Sequence, residues 1–320
     1  MIPSKRALVI INPSAGQKSA NRHLLSLVET LYTHGYVPTV VTTTIEVGGD
    51  ELVKRYGQGN SLIVCIGGDG TLHQVIDGVI DACPDIPVGY IGAGTTNDFA
   101  KSIGIPSDIE SAIRNVVEGV PHRIDIGLFG KERFTYVASC GAFTGASYTA
   151  SRTLKNSIGY PAYILESIRC LPDIRPIRLK IEAEEAEYND DFIFAAVCNT
   201  ASVGGILKLN SEKVSFSDGE LECLLVRMPK TIQDFTQILR CLQSGHYAPP
   251  YMQFFRTAHV TFHTPDGLDW SLDGEHAVSN GLVDIKVLAC AVNLILPRKQ
   301  KRAVTYRTHR KDKIASDNNS

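Results

Sequence analysis

Four short apolar runs fall in the first third of the chain, at residues 7–11, 37–43, 61–66 and 87–91, separated by stretches of helical periodicity. This alternation constrains the fold more than any other feature. Short continuous apolar runs suit strands buried on both faces, and strand, helix, strand in this rhythm requires crossover connections, hence a parallel sheet covered by helices on both sides. Between the first two runs Leu24, Leu27, Val28 and Leu31 repeat at helical spacing, with Ser19 in position to cap that helix. Open sheets of this kind bind ligands at the carboxyl ends of their strands, and here the glycine-rich segments fall at those ends.

From about residue 124 the texture changes. Ile177, Leu179 and Ile181 alternate with Arg178, Lys180 and Glu182, the period-two pattern of a half-solvated antiparallel strand. Strand-like runs follow at 192–199, 221–226, 258–263 and 282–288, with one helix expected over 231–244. This half reads as a β-sandwich. A length of 320 residues exceeds one ordinary core. The expected organisation is an α/β nucleotide-binding domain over 1–123, a β-sandwich domain over 124–297 and a basic, disordered tail over 298–320.

Charge is uneven. The tail carries eight Lys/Arg against Asp312 and Asp317, leaving +6, so with an overall −2 the remainder sums to −8. A merely solvated terminus and a tail that touches anionic lipid both remain open. The overall balance gives no reason to expect nucleic acid. The eight cysteines form no CxxC pair, which argues against a zinc site. Neither a secretory leader nor an apolar run near the ~18 residues of a membrane span is present. A cytoplasmic protein is expected.

The chemistry sits in the loops. Gly67-Gly68-Asp69-Gly70-Thr71 follows the run at 61–66 and precedes a helical pattern. Its glycines let the backbone approach a ligand, and the helix start beyond presents unpaired N–H groups and a positive dipole end, which suit phosphate. Asp69 repels a bare phosphate and makes sense with a divalent cation between them. A tight strand-to-helix turn is the competing explanation. Walker A spelling is absent, and so is G-x-G-x-x-G, since His73 stands where its third glycine belongs. A second segment, Gly92-Ala93-Gly94-Thr95-Thr96-Asn97-Asp98-Phe99-Ala100, repeats the logic, with Asn97 or Asp98 able to cap the next helix. The third is Asn12-Pro13-Ser14-Ala15-Gly16, whose Asn-Pro and Gly also serve ordinary turns.

With these residues the chain resembles the diacylglycerol kinase catalytic-domain family, in its bacterial soluble lipid-kinase branch. The three segments match that family's Asn-Pro-x-x-Gly, Gly-Gly-Asp-Gly-Thr and Gly-Thr-x-Asn-Asp-Phe-Ala in order. The similarity continues through Asp125-Ile126-Gly127, Ser217-Asp218-Gly219-Glu220-Leu221 and Leu272-Asp273-Gly274-Glu275. Gly-Gly-Asp-Gly-Thr is shared with NAD kinases and phosphofructokinases; the Asn-Asp-Phe-Ala segment with the late Asp-Gly-Glu is narrower.

The resemblance implies a phosphofructokinase-like α/β domain followed by a β-sandwich, and an ATP- and Mg²⁺-dependent kinase acting on the hydroxyl of diacylglycerol or a related lipid. ATP would lie against Asn12, Pro13, Ser14, Ala15 and Gly16 and against Gly67, Gly68, Asp69, Gly70 and Thr71, with Leu72 and His73 beyond. Thr95, Asn97 and Asp98, and Thr43 or Thr44 from the 42–44 run, would also take part. Asp69 would sit near the phosphates, Asp125 would help hold the catalytic Mg²⁺ through water, and Glu275 would be the general base. Asp218, with Ser215 and Glu220, would bind a second, structural Mg²⁺. The lipid would be met at the membrane surface, and a homodimer is implied. Glu275 and Asp218 also read as ordinary hairpin residues. Gln74 stands where the family usually has Glu, and Asp77 where Asn is common. Trp270 is expected in the core. The competing functions are a small-molecule kinase of the NAD-kinase type and a non-catalytic nucleotide- or lipid-binding regulator.

Overall fold

A computed structural model describes residues 4–15, 23–94, 97–141, 175–199, 202–203, 207–208, 215–244, 247 and 250–298. The first domain alternates as its apolar runs require. In chain order it comprises β1 (Lys5–Ile11), α1 (Leu24–Thr33), β2 (Tyr36–Thr42), α2 (Gly49–Tyr56), β3 (Leu62–Gly67), α3 (Asp69–Ala82), β4 (Val88–Gly92), α4 (Asp98–Ser102) and α5 (Ile109–Glu118). The strands pair in parallel in the order β4-β3-β1-β2. Alternate side chains serve opposite faces. Leu8, Ile10, Ile63 and Cys65 pack with Leu52 and Val53 of α2 and Leu72, Val75 and Val79 of α3. Ala7, Val9, Ile11, Leu62 and Val64 pack with Leu27 and Leu31 of α1 and Ala112, Ile113 and Val116 of α5. Each large apolar side chain so buried contributes roughly 1.5–3 kcal/mol relative to exposure. The helices α2 and α3 meet at Gly78, where a Cβ would stand 2.8 Å from the Cα of Asp50. Ser19 lies outside the described residues; the described part of α1 opens after His23.

The second domain comprises β5 (Val120–Phe129), β6 (Glu132–Phe134), β7 (Val137–Gly141), β8 (Ile177–Ala183) and β9 (Ala186–Cys198), then the short ribbon β10 (Ser202–Val203) and β11 (Leu207–Lys208). It continues with β12 (Leu221–Arg227), α6 (Ile232–Ser244), β13 (Met252–Thr257), β14 (His259–His263), β15 (Leu268–Leu272), β16 (Glu275–Ser279) and β17 (Leu282–Leu296). One sheet runs β16-β15-β7-β9-β12-β13 and the other β9-β8-β14-β17-β5-β6, the long strand β9 turning from one into the other. Its first half, which precedes the apolar run expected at 192–199, is alternately solvated. Its last seven residues are all buried, because the sandwich covers one face while Ile238 and Cys241 of α6 cover the other. Trp270 is buried as expected, edge-on to Phe129 and Phe262, and its indole N–H donates to Ser279 Oγ at 3.0 Å. Among the described residues every cysteine but Cys290 is buried.

The run at 282–288 proves to be the first half of a longer strand. After a bulge between Leu288 and Val292, where Cys290 takes φ +51°, β17 resumes beside β5, and Leu294 pairs in parallel with Val88 of β4. Val292 and Leu294 are buried in the core of the first domain. The last strand of the sandwich therefore also completes the sheet of the α/β domain. Among the described residues no helix is long and apolar enough to cross a membrane.

Candidate active site

The three glycine-containing loops follow β1, β3 and β4 at one edge of the parallel sheet. Asn12 ties the first two together: its Nδ2 donates to Thr71 Oγ1 at 3.0 Å, while its Oδ1 accepts the N–H of Ser14 at 2.9 Å. In the third loop Asn97, at φ +46°, braces the turn rather than capping α4, exchanging hydrogen bonds with the N–H and C=O of Gly94 at 2.9 and 3.0 Å. Gly94 admits no side chain, since a Cβ there would lie 2.7 Å from the Cα of Gly68.

Together the loops surround a cavity of about 590 Å³. Asn12, Ser14 and Ala15 line it from the first loop. Gly68, Gly70 and Thr71 line it at the start of α3, whose first-turn N–H groups have no acceptor within the helix and no side-chain cap, and His73 and Gln74 follow within a turn. Gly94 closes one side, and Glu275 reaches in from the second domain. A Cβ on Gly70 would stand 3.7 Å from Glu275 Oε1. Gln74 Oε1 accepts the N–H of Gly49 at 3.0 Å, so it meets the first-turn donor of α2 while bordering the cavity. Backbone N–H groups, small residues and a helix N-terminus are the features that suit phosphate.

Other expected residues lie off the cavity wall. Leu72 packs into the core with its N–H bonded to Gly68 O, so neither group faces a ligand. Pro13 is exposed in its turn, and Gly67 lies below the cavity, its carbonyl accepting from the N–H of Ala93 and the hydroxyl of Tyr90. Thr43 is buried with its N–H on Ile11 O, and the Thr44 hydroxyl accepts the N–H groups of Glu46 and Val47. Asp69 opens α3 but turns to the loop after β4: its Oδ2 accepts the N–H of Asp98 at 2.8 Å and its Oδ1 the Tyr90 hydroxyl at 3.3 Å. Burial pushes its carboxyl from 3.8 up to about 6, against the opposing hydrogen bond from Asp98. Gly16 and Thr95 lie outside the described residues, as does the tail beyond Arg298.

Asp125, fully buried, organises the turn that carries Ser215, Asp218 and Glu220. Its N–H donates to Phe216 O at 2.7 Å, and its two carboxylate oxygens accept the N–H of Gly219 at 2.8 Å and of Cys290 at 2.7 Å. Asp218 pairs with Arg256, and Glu220 Oε2 lies 3.0 Å from the same guanidinium. Glu222 is buried, 3.6 Å from Arg256, and neither of its oxygens accepts a hydrogen bond. Burial pushes its carboxyl up to about 8; Arg256 opposes this, while Asp218 and Glu220 add to it. With Glu222 protonated at neutral pH, Asp218 and Glu220 share the one guanidinium, which leaves a net negative charge and oxygen donors of the type a hard divalent cation takes. Among the described residues no group of three or more His, Cys, Asp or Glu is placed so that it could hold a metal ion without further ligands or rearrangement.

Two groups had no signal as site residues. Asp273, at φ +53°, has its carboxylate held by the backbone N–H groups of Thr135, Tyr136 and Val137 and by His73 Nδ1 at 3.0 Å. The Asp-Gly spelling marked a turn but not these distant partners. Tyr90 lies in an apolar strand, where its phenol has no pattern to announce it.

The sequence profile of the diacylglycerol kinase catalytic domain matches residues 6–129, and that of the YegS C-terminal NAD kinase beta sandwich-like domain matches residues 138–296. The chain is 29% identical over 274 residues to a diacylglycerol kinase of Bacillus subtilis, covering 85% of this chain and 90% of that one. It is 27% identical over 276 residues to a diacylglycerol kinase of Staphylococcus saprophyticus, covering 85% and 89%. In fold it is similar to a crystal structure of a diacylglycerol kinase from Bacillus anthracis, with a TM-score of 0.74 at 21% identity, over 91% of this chain and 97% of that one. Matched through both domains in order, the chain belongs to the diacylglycerol kinase catalytic-domain family and is a phosphotransferase of that family.

Proposed function

We propose that the protein transfers the terminal phosphoryl group of ATP, in the presence of Mg²⁺, to the hydroxyl of diacylglycerol or a related lipid. Residues 1–123 hold the nucleotide, and residues 124–297 supply Glu275 and meet the lipid at the membrane surface on the cytoplasmic side. The observation that carries this reading is the position of Glu275. It borders the 590 Å³ cavity and also a second one of about 330 Å³ beyond it. A general base must stand between donor and acceptor, and a carboxylate at the boundary of two adjoining cavities supports that role.

In this reading the phosphates lie on the N–H groups at the start of α3, with Asn12 and Thr71 holding the two loops in register. Glu275 accepts the acceptor hydroxyl's proton as the new O–P bond forms. Asp69 keeps the loops after β3 and β4 together by accepting the N–H of Asp98. Mg²⁺, when bound, supplies neutralisation of phosphate charge. Asp69 and Asp125 are our candidates near the catalytic ion, and Asp218 with Ser215 and Glu220 for a structural one. Phosphoryl transfer asks a protein mainly for such positioning and charge neutralisation.

The test is transfer of label from γ-labelled ATP to dioleoylglycerol in mixed micelles, with and without EDTA. A labelled lipid phosphate that disappears with EDTA is expected. Label remaining in ATP, or moving to a water-soluble acceptor instead, would overturn the lipid assignment.

A further inference from the structure

Among the described residues, two side chains border both cavities: Glu275 and His73. The reading above uses the first and leaves the second unexplained. His73 lies one turn into α3. Its Nδ1 is 3.0 Å from Asp273 Oδ2 and 3.5 Å from Thr135 Oγ1, and its Nε2 is 3.5 Å from Asp77 Oδ2. The Asp273 side chain is only 2% exposed and already accepts three backbone N–H groups, so Nδ1 must be the donor in that contact. A neutral ring would then present a bare lone pair on Nε2 to the Asp77 carboxylate. A protonated ring meets a carboxylate on each side.

The surrounding charges favour the same state. Asp273 faces the ring from the turn before β16, Glu275 from the first residue of β16 and Asp77 from its own helix; Arg133 stands 3.6 Å from Asp77, and Lys131, Glu132 and His276 line the second cavity with it. Burial works against the charged ring, but the Asp273 hydrogen bond and charge, then Asp77 and Glu275, outweigh it and hold the His73 pKa above its ordinary value.

We propose that His73 is a positioning residue that carries a positive charge at the boundary between the donor and acceptor cavities, drawing the terminal phosphate of the nucleotide toward Glu275. The inference rests on the phosphoryl-transfer reading. In the transfer step His73 neither gives nor takes a proton. The acceptor's proton goes to Glu275, the O–P bond to the lipid forms as the bond to the departing ADP oxygen breaks, and the imidazolium is unchanged. Its charge distinguishes a nucleoside triphosphate from a diphosphate, and that distinction weakens as pH rises and the ring loses its proton.

The test is calorimetric titration of Mg²⁺-bound AMPPNP and Mg²⁺-bound ADP into the full chain between pH 6 and 9, for the wild type, His73→Asn and Asp77→Asn. The wild type is expected to prefer the triphosphate analogue by a factor that falls on the order of tenfold across this range, as for one unit charge lost several ångströms away in a partly solvated site. His73→Asn keeps a donor toward Asp273 but no charge, and its preference is expected to be lower by a similar factor and to lack that fall. Asp77→Asn removes one group that favours the charged ring, so its fall is expected at lower pH. Ionisation of the analogue itself is common to all three proteins and cancels between them. If the preference in His73→Asn follows the wild type at every pH, or the fall in Asp77→Asn does not move, the proposal is wrong. Should His73→Asn fail to fold by circular dichroism, the Asp77→Asn profile decides alone. A wild type that binds neither nucleotide sinks both the proposal and the kinase reading; one that discriminates as described but labels no lipid sinks the lipid assignment only.

Discussion

Replacing Asp69 with Asn is expected to make the nucleotide-free protein more stable at neutral pH while abolishing phosphoryl transfer. Burial raises the Asp69 carboxyl from 3.8 to about 6. Between those values the folded protein keeps a proton that the unfolded chain has lost, so stability falls as pH rises through that window and the full penalty applies above it. At about 1.36 kcal/mol per pH unit the gap corresponds to roughly 3 kcal/mol at pH 7.5 and about a third of that at pH 4.5. The amide carries no such penalty. Its oxygen still accepts the N–H of Asp98, and its NH₂ can donate to Tyr90, whose hydroxyl then turns to Gly67 O at 3.2 Å. Loss of two charge-assisted bonds offsets about a third of the gain, leaving roughly 2 kcal/mol at pH 7.5. The difference in that gain between the two pH values, also about 2 kcal/mol, does not depend on those bonds. Urea unfolding of both proteins in EDTA at pH 7.5 and 4.5 measures it. Equal stability at both pH values, or a variant less stable at pH 7.5 than at pH 4.5 relative to wild type, would refute the reasoning.

Glu275→Gln should lower kcat by about 10²–10⁴-fold with little change in nucleotide affinity measured by titration, since the amide keeps the size but cannot take the acceptor's proton. Near-normal turnover would make Glu275 a turn residue. If the 215–220 turn binds a cation, Mg²⁺ alone should raise the melting temperature, and Asp218→Asn should remove part of that rise; an equal rise in both proteins would leave Arg256 as the carboxylates' sufficient partner. Gly78→Ala should cost about 1–3 kcal/mol despite alanine's higher helix propensity, because its Cβ meets the backbone of Asp50. A stabilised variant by thermal unfolding would show that α2 and α3 part more easily than their packing suggests.

The parts legible in the sequence were those set by local pattern. The four parallel strands, the helix over 232–244 and the alternation in β8 follow from residue periodicity alone, and so do the glycine loops at strand ends. Partnerships across long chain separations were not legible. Asp69 read as a carboxylate for a cation, yet its oxygens meet Tyr90 and Asp98, groups supplied by the next strand and loop. Asp218 read as a hairpin or a metal ligand, and Arg256 that pairs with it is 38 residues away. Asp273 finds His73 across 200 residues. In each case the sequence marks a polar group in a turn, but only the packing of two domains determines what satisfies it. The length of β17 was missed for a related reason: the Ala-Cys-Ala bulge interrupts the strand pattern, and the residues after it are buried by the other domain.

That shared strand has a consequence for the order in which the molecule can be made. Synthesis delivers β1 to β4 first, yet the neighbour of β4 arrives only with Val292–Leu296, after the whole sandwich has left the ribosome. Until then β4 is an open edge, and the apolar faces that receive Val292, Leu294 and Ile295 are uncovered. An unpaired edge flanked by exposed apolar surface invites association with other chains. The α/β half is therefore not an autonomous unit to be produced alone: cut after β5, it keeps its motifs but lacks the strand that seals it.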